Sequence, residues 1–359
     1  MYDLAIVGGG PAGTAAAITA ARAGMTVLLL ERGRFPRHKV CGEFVSAESL
    51  SILQSLLAGP ERPTPIGPHI DRARLFVDHA VLNTVVDPPA QSIARYELDD
   101  RLWHAAMLSG VDARQQMTTT KIAGDGPFII NTSVGEFTAR SLVDASGRWS
   151  NLNQQLGIDS SQKKWIGLKA HFSEPHPISS VDLYFFENGY CGVQPVRQNG
   201  HSEVNVCAMV RSDVASSLPD VFDCHAALRE RSRTWGQTTE VVSTSPLLFR
   251  TPQPTRGNVI CAGDAAGFVD PFVGDGISLA LRSGTLAAQC LAGFCSGKIS
   301  LEDAAQNYRA TYNHTLLPVF QTSSKIRRLL ALPYPARAVL LLLFGNMPAL
   351  TRYLVRRTR

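Results

Sequence analysis

The sequence predicts an α/β fold (α+β overall): a Rossmann-like domain carrying an inserted antiparallel β-sheet domain, followed by a C-terminal helical segment. Three observations predict it. A glycine-rich strand–helix–strand unit opens the chain, a second strand ending in Gly263-Asp264 runs into another glycine-rich turn and helix, and a tract of period-two patterning lies between them. The 359 residues, 45% hydrophobic and 18% charged, exclude disordered and collagen-like chains and can bury a large core. The expected division is 1–70, 90–163 and 250–295 for the discontinuous first domain, 71–89 and 164–249 for the inserted domain, and 296–359 for a helical, basic end.

Residues 3–8 read as a short buried strand, and Gly8-Gly9-Gly10-Pro11-Ala12-Gly13 opens an alanine-rich helix that ends near Gly24. A second strand over 25–30 finishes at Glu31-Arg32. This is a complete dinucleotide-binding βαβ unit. Gly8 permits the tight turn, Gly10 lets backbone approach a pyrophosphate, and Gly13 allows close helix–strand packing. The helix N-terminus, with Pro11 and Ala12, offers N–H groups to the phosphates, and Glu31 is placed for the adenosine ribose hydroxyls. The unit alone does not say which dinucleotide is held.

The downstream segment narrows the choice. Residues 259–264 form a strand ending in Gly-Asp, followed by Ala265-Ala266-Gly267-Phe268-Val269-Asp270-Pro271-Phe272-Val273-Gly274-Asp275-Gly276 and a helix from Ile277. This pattern resembles the p-hydroxybenzoate hydroxylase superfamily of flavoproteins, and most closely its geranylgeranyl-reductase branch. The resemblance implies FAD, with Asp264, after Gly263, on a ribityl hydroxyl and the stretch Pro271, Gly274, Gly276 and Ile277 along the isoalloxazine ring. The residue types agree with that placement, since Gly274 and Gly276 remove side chains where backbone meets a flat ring. The following helix N-terminus would stabilise negative charge on reduced flavin.

Two further segments carry the same resemblance. Arg95-Tyr96-Glu97-Leu98-Asp99-Asp100-Arg101-Leu102 is similar to the family's R-x-x-x-D-x-x-L helix start, which implies Arg95 against the FAD pyrophosphate or ribityl chain. Asp99 is expected on a solvated helical face. Residues 142–150 resemble the strand that returns beneath the cofactor, with Ser146-Gly147 where many hydroxylases have Asp-Gly. No second G-x-G-x-x-G with a following acid occurs. The hydride donor is therefore expected to dock transiently, as NAD(P)H or another reductant.

Residues 164–210 alternate apolar and polar and contain the turn residues Glu187-Asn188-Gly189 and Gln198-Asn199-Gly200, which predicts antiparallel strands joined by hairpins. Such a sheet would roof a substrate pocket. The reductase branch has G-Y-x-W-x-F-P and the flavin halogenases W-x-W-x-I-P in the comparable segment. Here Gly189, Tyr190 and Pro195 remain, but Gly192 and Gln194 replace bulky residues. Tyr190 and Gln194 are the expected substrate contacts, a halogenase is disfavoured, and an enlarged or re-shaped pocket is expected.

Arg37-His38-Lys39-Val40-Cys41-Gly42-Glu43 resembles the K-x-C-G segment of geranylgeranyl reductases, where the cysteine approaches flavin and substrate. Cys41 is the first catalytic candidate and a cofactor contact. It either donates a proton to a double bond receiving hydride or shapes substrate access; a structural cysteine fits the same spacing. His38 and Glu43 are weaker candidates.

The expected activity is FAD-dependent reduction of a double bond in a hydrophobic isoprenoid, lipid or polyketide-like substrate, with an aromatic monooxygenase and an electron-transfer flavoprotein as alternatives. Seven cysteines without C-x-x-C spacing suggest neither a zinc site nor a disulfide framework, and they fit a cytoplasmic protein. No signal peptide precedes the first strand, and no apolar run reaches the roughly 20 residues of a membrane span. The net charge of +5 belongs to the end of the chain: residues 325–359 hold eight basic residues and no acid, interleaved with leucines. That segment either makes peripheral membrane contact or packs on the core. Nucleic acid is disfavoured because no binding motif accompanies the charge.

Overall fold

A computed structural model of the chain describes residues 1–58, 67–148, 164–198, 201–247, 249–269 and 274–330. In chain order its elements begin with β1 (Tyr2–Val7), α1 (Pro11–Arg22), β2 (Val27–Leu30), β3 (Phe44–Val45), α2 (Ala47–Leu57), β4 (His69–Val77), β5 (Ala80–Ser92) and α3 (Arg95–Leu108). Then come β6 (Asp112–Arg114), β7 (Thr119–Ala123), β8 (Phe128–Thr132), β9 (Gly135–Asp144), β10 (Trp165–Ser173), β11 (Ser180–Phe186), β12 (Gly189–Gln198) and β13 (His201–Arg211). The remainder is α4 (Leu218–Asp223), α5 (Ala226–Ser232), β14 (Gly236–Gln237), β15 (Val242–Thr244), β16 (Thr255–Arg256), β17 (Val259–Cys261), α6 (Gly276–Cys295), α7 (Leu301–Thr315) and α8 (Leu317–Leu330).

The first sheet runs β16-β17-β9-β1-β2-β6. Strands β17, β9, β1, β2 and β6 are parallel, so the chain must cross over between them, and α1 makes the crossover from β1 to β2. Every residue of β2 is buried, as the Val-Leu-Leu-Leu run requires of a strand covered on both faces. Helices α1, α6 and α7 share its core with Ile6, Leu29, Leu142, Leu281 and Tyr308.

The second sheet runs β14-β10-β13-β12-β11-β4-β5-β3. Strands β11, β12 and β13 are antiparallel, and the β11–β12 turn places Asn188 at φ 57°, a conformation Asn tolerates well. One face packs on α4 and α5 through Leu168, Ala170, Val193, Val206, Leu218 and Leu228. The opposite face looks toward the first domain.

Within the end expected to be helical, 296–359, the described residues form two helices, α7 and α8, parted at Leu316. Pro318 sits in the first turn of α8, where a missing N–H costs nothing, but it could not continue α7. Among the described residues no helix is long and apolar enough to cross a membrane. Pro271 and the segment 331–359 lie outside the described residues.

Candidate active site

The N-termini of α1 and α6, the loop from Arg32 to Phe44, the start of α3 and the inner face of the second sheet enclose one cavity of about 560 Å³. Its ends differ in chemistry.

At the first-domain end, the glycines divide into two kinds. Gly8 has φ +108°, and a Cβ there would stand 2.2 Å from the carbonyl oxygen of Ala145; a Cβ on Gly13 would stand 1.8 Å from the carbonyl oxygen of Gly8. Those two are required by the chain's own packing. A Cβ on Gly10 or Gly276 would meet nothing within 4 Å, and both residues line the cavity. Together with Pro11, Ala12 and Ile277 they form a cradle in which the two glycines leave open space. The N-termini of α1 and α6 both open onto it, so it faces N–H groups without intrahelical partners.

Glu31 stands behind this wall. Its carboxylate accepts from the Gly9 N–H at 2.8 Å, the Gly33 N–H at 2.7 Å and Arg37 Nη2 at 2.8 Å. Burial pushes the carboxyl up, but Arg37 and the two N–H groups outweigh it and hold it below the usual range. It is thus an anion that orders the turn. Arg32 lies in the cavity lining, as do Gly263, Asp264 and Gly274. Asp264 Oδ2 is 3.4 Å from Arg148 Nε, whose guanidinium lies over the Phe268 ring at 4.3 Å.

Arg95 also lines the cavity, and here Asp99 corrects the expectation of a solvated face. Asp99 has no exposed surface, and Arg95 Nε and Nη2 each donate to it at 2.7 Å. The reason is physical: four residues on is the same helix face, and a guanidinium carried into the interior requires a counterion there. Burial lowers the Arg95 pKa, but Asp99 and then Cys41 reverse this and leave it raised. Cys41 is half-buried in the cavity wall, its Sγ accepting from the Glu43 N–H at 3.3 Å and its carbonyl from Asn205 Nδ2 at 3.0 Å.

The far end is apolar. Tyr190, Met209 and Leu247 line it and belong to one apolar cluster, while Phe44 stands close to Gly274 and Phe268 lies under Arg148. Gln194 does not: its Nε2 donates to Ser92 Oγ at 2.6 Å, further along β12, where the end of β5 covers it. Gly192 is likewise outside the lining, where a Cβ would meet Leu183 at 3.3 Å, so neither residue re-shapes the cavity.

Glu43 is the residue that sequence reasoning undervalued. Its side chain is wholly buried, its backbone adopts φ 61°, and Oε1 accepts from the Arg95 N–H at 2.8 Å and from Lys169 Nζ at 2.9 Å. Oε2 lies 2.8 Å from His171 Nε2, and Lys169 Nζ reaches His38 Nδ1 at 3.3 Å. Burial pushes the Glu43 carboxyl up, yet Lys169 and His171 bring it down to about 2. One signal was available: Lys169 and His171 alternate with buried Leu168, Ala170 and Phe172, so two polar side chains share one face of a core strand.

Known proteins resemble this chain in sequence and in fold. The chain is 29% identical over 321 residues to a menaquinone reductase of Mycobacterium tuberculosis, covering 80% of this chain and 76% of that one. It is 27% identical over 346 residues to a digeranylgeranylglycerophospholipid reductase of Methanoculleus marisnigri, covering 88% and 84%. Among solved structures, the flavin-dependent brominase Bmp2 superposes with a TM-score of 0.80 at 21% identity, covering 99% of this chain and 93% of that one, a likeness of fold. The FAD binding domain model matches residues 1–323, and the chain belongs to that family as an FAD-dependent oxidoreductase.

Proposed function

We propose that the protein reduces a double bond of a hydrophobic, isoprenoid-like substrate by hydride transfer from FAD. One observation carries this reading: one cavity is lined both by Gly10 and Gly276 at two helix N-termini and by aromatic and aliphatic side chains, with Cys41 and His38 in its wall. The names of the two reductases above point the same way.

FAD, when bound, supplies a two-electron hydride at its flavin ring. The cradle fits it. The α1 N-terminus and Gly10 would hold the pyrophosphate, while Glu31 keeps the Gly9–Gly33 turn in shape and Arg95 would add a cation held by Asp99. Asp264 and the α6 N-terminus would hold the ribityl chain and the pyrimidine end. Tyr190, Met209 and Leu247 hold an apolar substrate and exclude water, which strengthens the electrostatic effects at the junction. NAD(P)H or another reductant docks transiently. The basic segment 325–359 brings the protein to an anionic membrane where such substrates reside, and removing residues 331–359 should weaken partitioning onto anionic liposomes.

The test is anaerobic. Enzyme reduced with one equivalent of dithionite should be reoxidised by a prenylated substrate without oxygen. Reoxidation only in oxygen, coupled to hydroxylation, would select a monooxygenase instead.

A further inference from the structure

Of the seven cysteines, Cys41 and Cys207 line the cavity and the other five do not. Cys191, for example, points from β12 into the core on the opposite face of the second sheet, among Val193 and Val206. The two cavity cysteines stand 166 positions apart in the chain, and the fold brings them to one patch.

That patch is the inner face of β10 and β13. Gly167, Lys169 and His171 of β10 stand opposite Met209, Cys207 and Asn205 of β13, and side chains two apart on a strand share a face. The loop from Arg32 to Phe44 crosses it. A Cβ on Gly167 would stand 2.9 Å from Val40 Cγ1, so Val40 lies over Gly167. Glu43 reaches Lys169 Nζ at 2.9 Å and His171 Nε2 at 2.8 Å, and the Cys41 carbonyl accepts from Asn205 Nδ2 at 3.0 Å. Cys41, between Val40 and Glu43, therefore passes over the stretch of β13 from Asn205 to Met209, and Cys207 is the residue in the middle of that stretch.

The two sulfurs have different surroundings. Burial first and the Cys41 sulfur next push the Cys207 thiol up to about 12, which keeps it protonated. The Glu43 N–H at 3.3 Å and the Arg95 guanidinium both donate to the Cys41 sulfur, so electron density gathering there meets a dipole and a cation. An FAD oxidoreductase also makes an oxidant in this place: reduced flavin left without substrate passes two electrons to oxygen and yields hydrogen peroxide.

We propose that Cys41 and Cys207 form a reversible disulfide in response to hydrogen peroxide, and that this bond takes the substrate cavity out of use. The bond itself requires only an oxidoreductase that holds FAD; its effect rests on the hydrophobic-substrate reading above. The Cys41 sulfur attacks peroxide, the O–O bond breaks, and a Cys41 sulfenic acid and one water result. The Cys207 sulfur then attacks the Cys41 sulfur, the S–O bond breaks, and the thiol proton leaves with the hydroxyl as a second water. Two electrons pass from the two thiols to the peroxide. An external dithiol reverses the bond by exchange. Cys207 precedes Met209 by two on the same strand face, so tying the loop to β13 narrows the cavity beside a side chain that holds substrate.

The experiment uses FAD-loaded protein, reduced with dithiothreitol, desalted, exposed to hydrogen peroxide, alkylated and mapped by mass spectrometry. The expected result is a Cys41–Cys207 cross-linked peptide that is lost again with dithiothreitol. Cys207→Ser should instead hold Cys41 as a sulfenic acid that dimedone labels, and Cys191→Ser should cross-link as wild type does. Geranylgeraniol binding, read from the flavin absorbance, should weaken about tenfold or more in the cross-linked protein and recover with dithiothreitol. Both cysteines found alkylated after peroxide, or joined to other cysteines, would overturn the pair. A cross-link that leaves geranylgeraniol affinity unchanged would overturn its effect on the cavity. No geranylgeraniol binding by the reduced protein would overturn the hydrophobic-substrate reading and the closure with it, while the peptide map still decides the disulfide.

Discussion

Lys169 Nζ lies 2.9 Å from Glu43 Oε1, and neither side chain reaches solvent. This pair joins the loop from Arg32 to Phe44 to the second sheet, because Glu43 also accepts the first N–H of α3 and Lys169 belongs to β10. Replacing Lys169 by Met should cost about 3–5 kcal/mol of stability by taking the ammonium from a buried carboxylate that then keeps only His171 and the Arg95 N–H, and Glu43→Gln with Lys169→Met together should cost clearly less than the sum of the singles. Urea unfolding of the three variants measures both.

Stability should rise with pH across the acid range. Glu43 has its pKa lowered from 4.5 to about 2, so its contribution is complete above 4.5 and is lost as pH falls toward 2. His38, lowered from 6.5 to about 4, resists protonation in the fold, and its contribution is lost as pH falls through that window. Denaturation midpoints against pH should show both windows in wild type and only the lower one in His38→Gln.

Gly10 and Gly13 should fail differently. Gly10→Val leaves the melting temperature of the ligand-free protein near wild type, since its Cβ meets nothing, yet it fills the cradle and should lower FAD affinity about 100-fold or more. Gly13→Ala drives a methyl to within 1.8 Å of the Gly8 carbonyl and should destabilise the ligand-free protein by about 3 kcal/mol or more. Calorimetry and flavin titration separate the two.

Arg95→Leu should destabilise by about 3–5 kcal/mol, because Asp99 remains as an unpaired buried carboxylate. Adding Asp99→Leu should recover a large part of the stability but none of the FAD affinity that the cation contributes. Thermal unfolding and flavin titration of the single and double variants decide it.

Leu247→Trp enlarges a side chain that lines the cavity and packs with Tyr190 and Met209. Flavin content should hold while KM for a long prenyl substrate rises at least about tenfold, the scale of a few lost methylene contacts.

The parts of the site legible in the sequence are those built locally. Gly8, Gly10, Gly13 and Glu31 stand at fixed spacing in one βαβ unit, and Gly263-Asp264 ends one strand, so residue type and order suffice to place them. Asp99 and Glu43 were not legible in that way. A charged residue on a helix or after a loop looks the same whether it faces water or a counterion, and Glu43 finds its partners on β10, far along the chain. Gln194 shows the converse: it shares a strand with Tyr190, yet a residue of β5 that period-two patterning cannot align with it takes its amide.

The most direct test of the central claim is the mass of the product. FAD-loaded enzyme, a transient reductant and a prenylated substrate are incubated in air containing oxygen-18, and the product is weighed by mass spectrometry. The account predicts a gain of two hydrogens and no label; a gain of one labelled oxygen atom would contradict it.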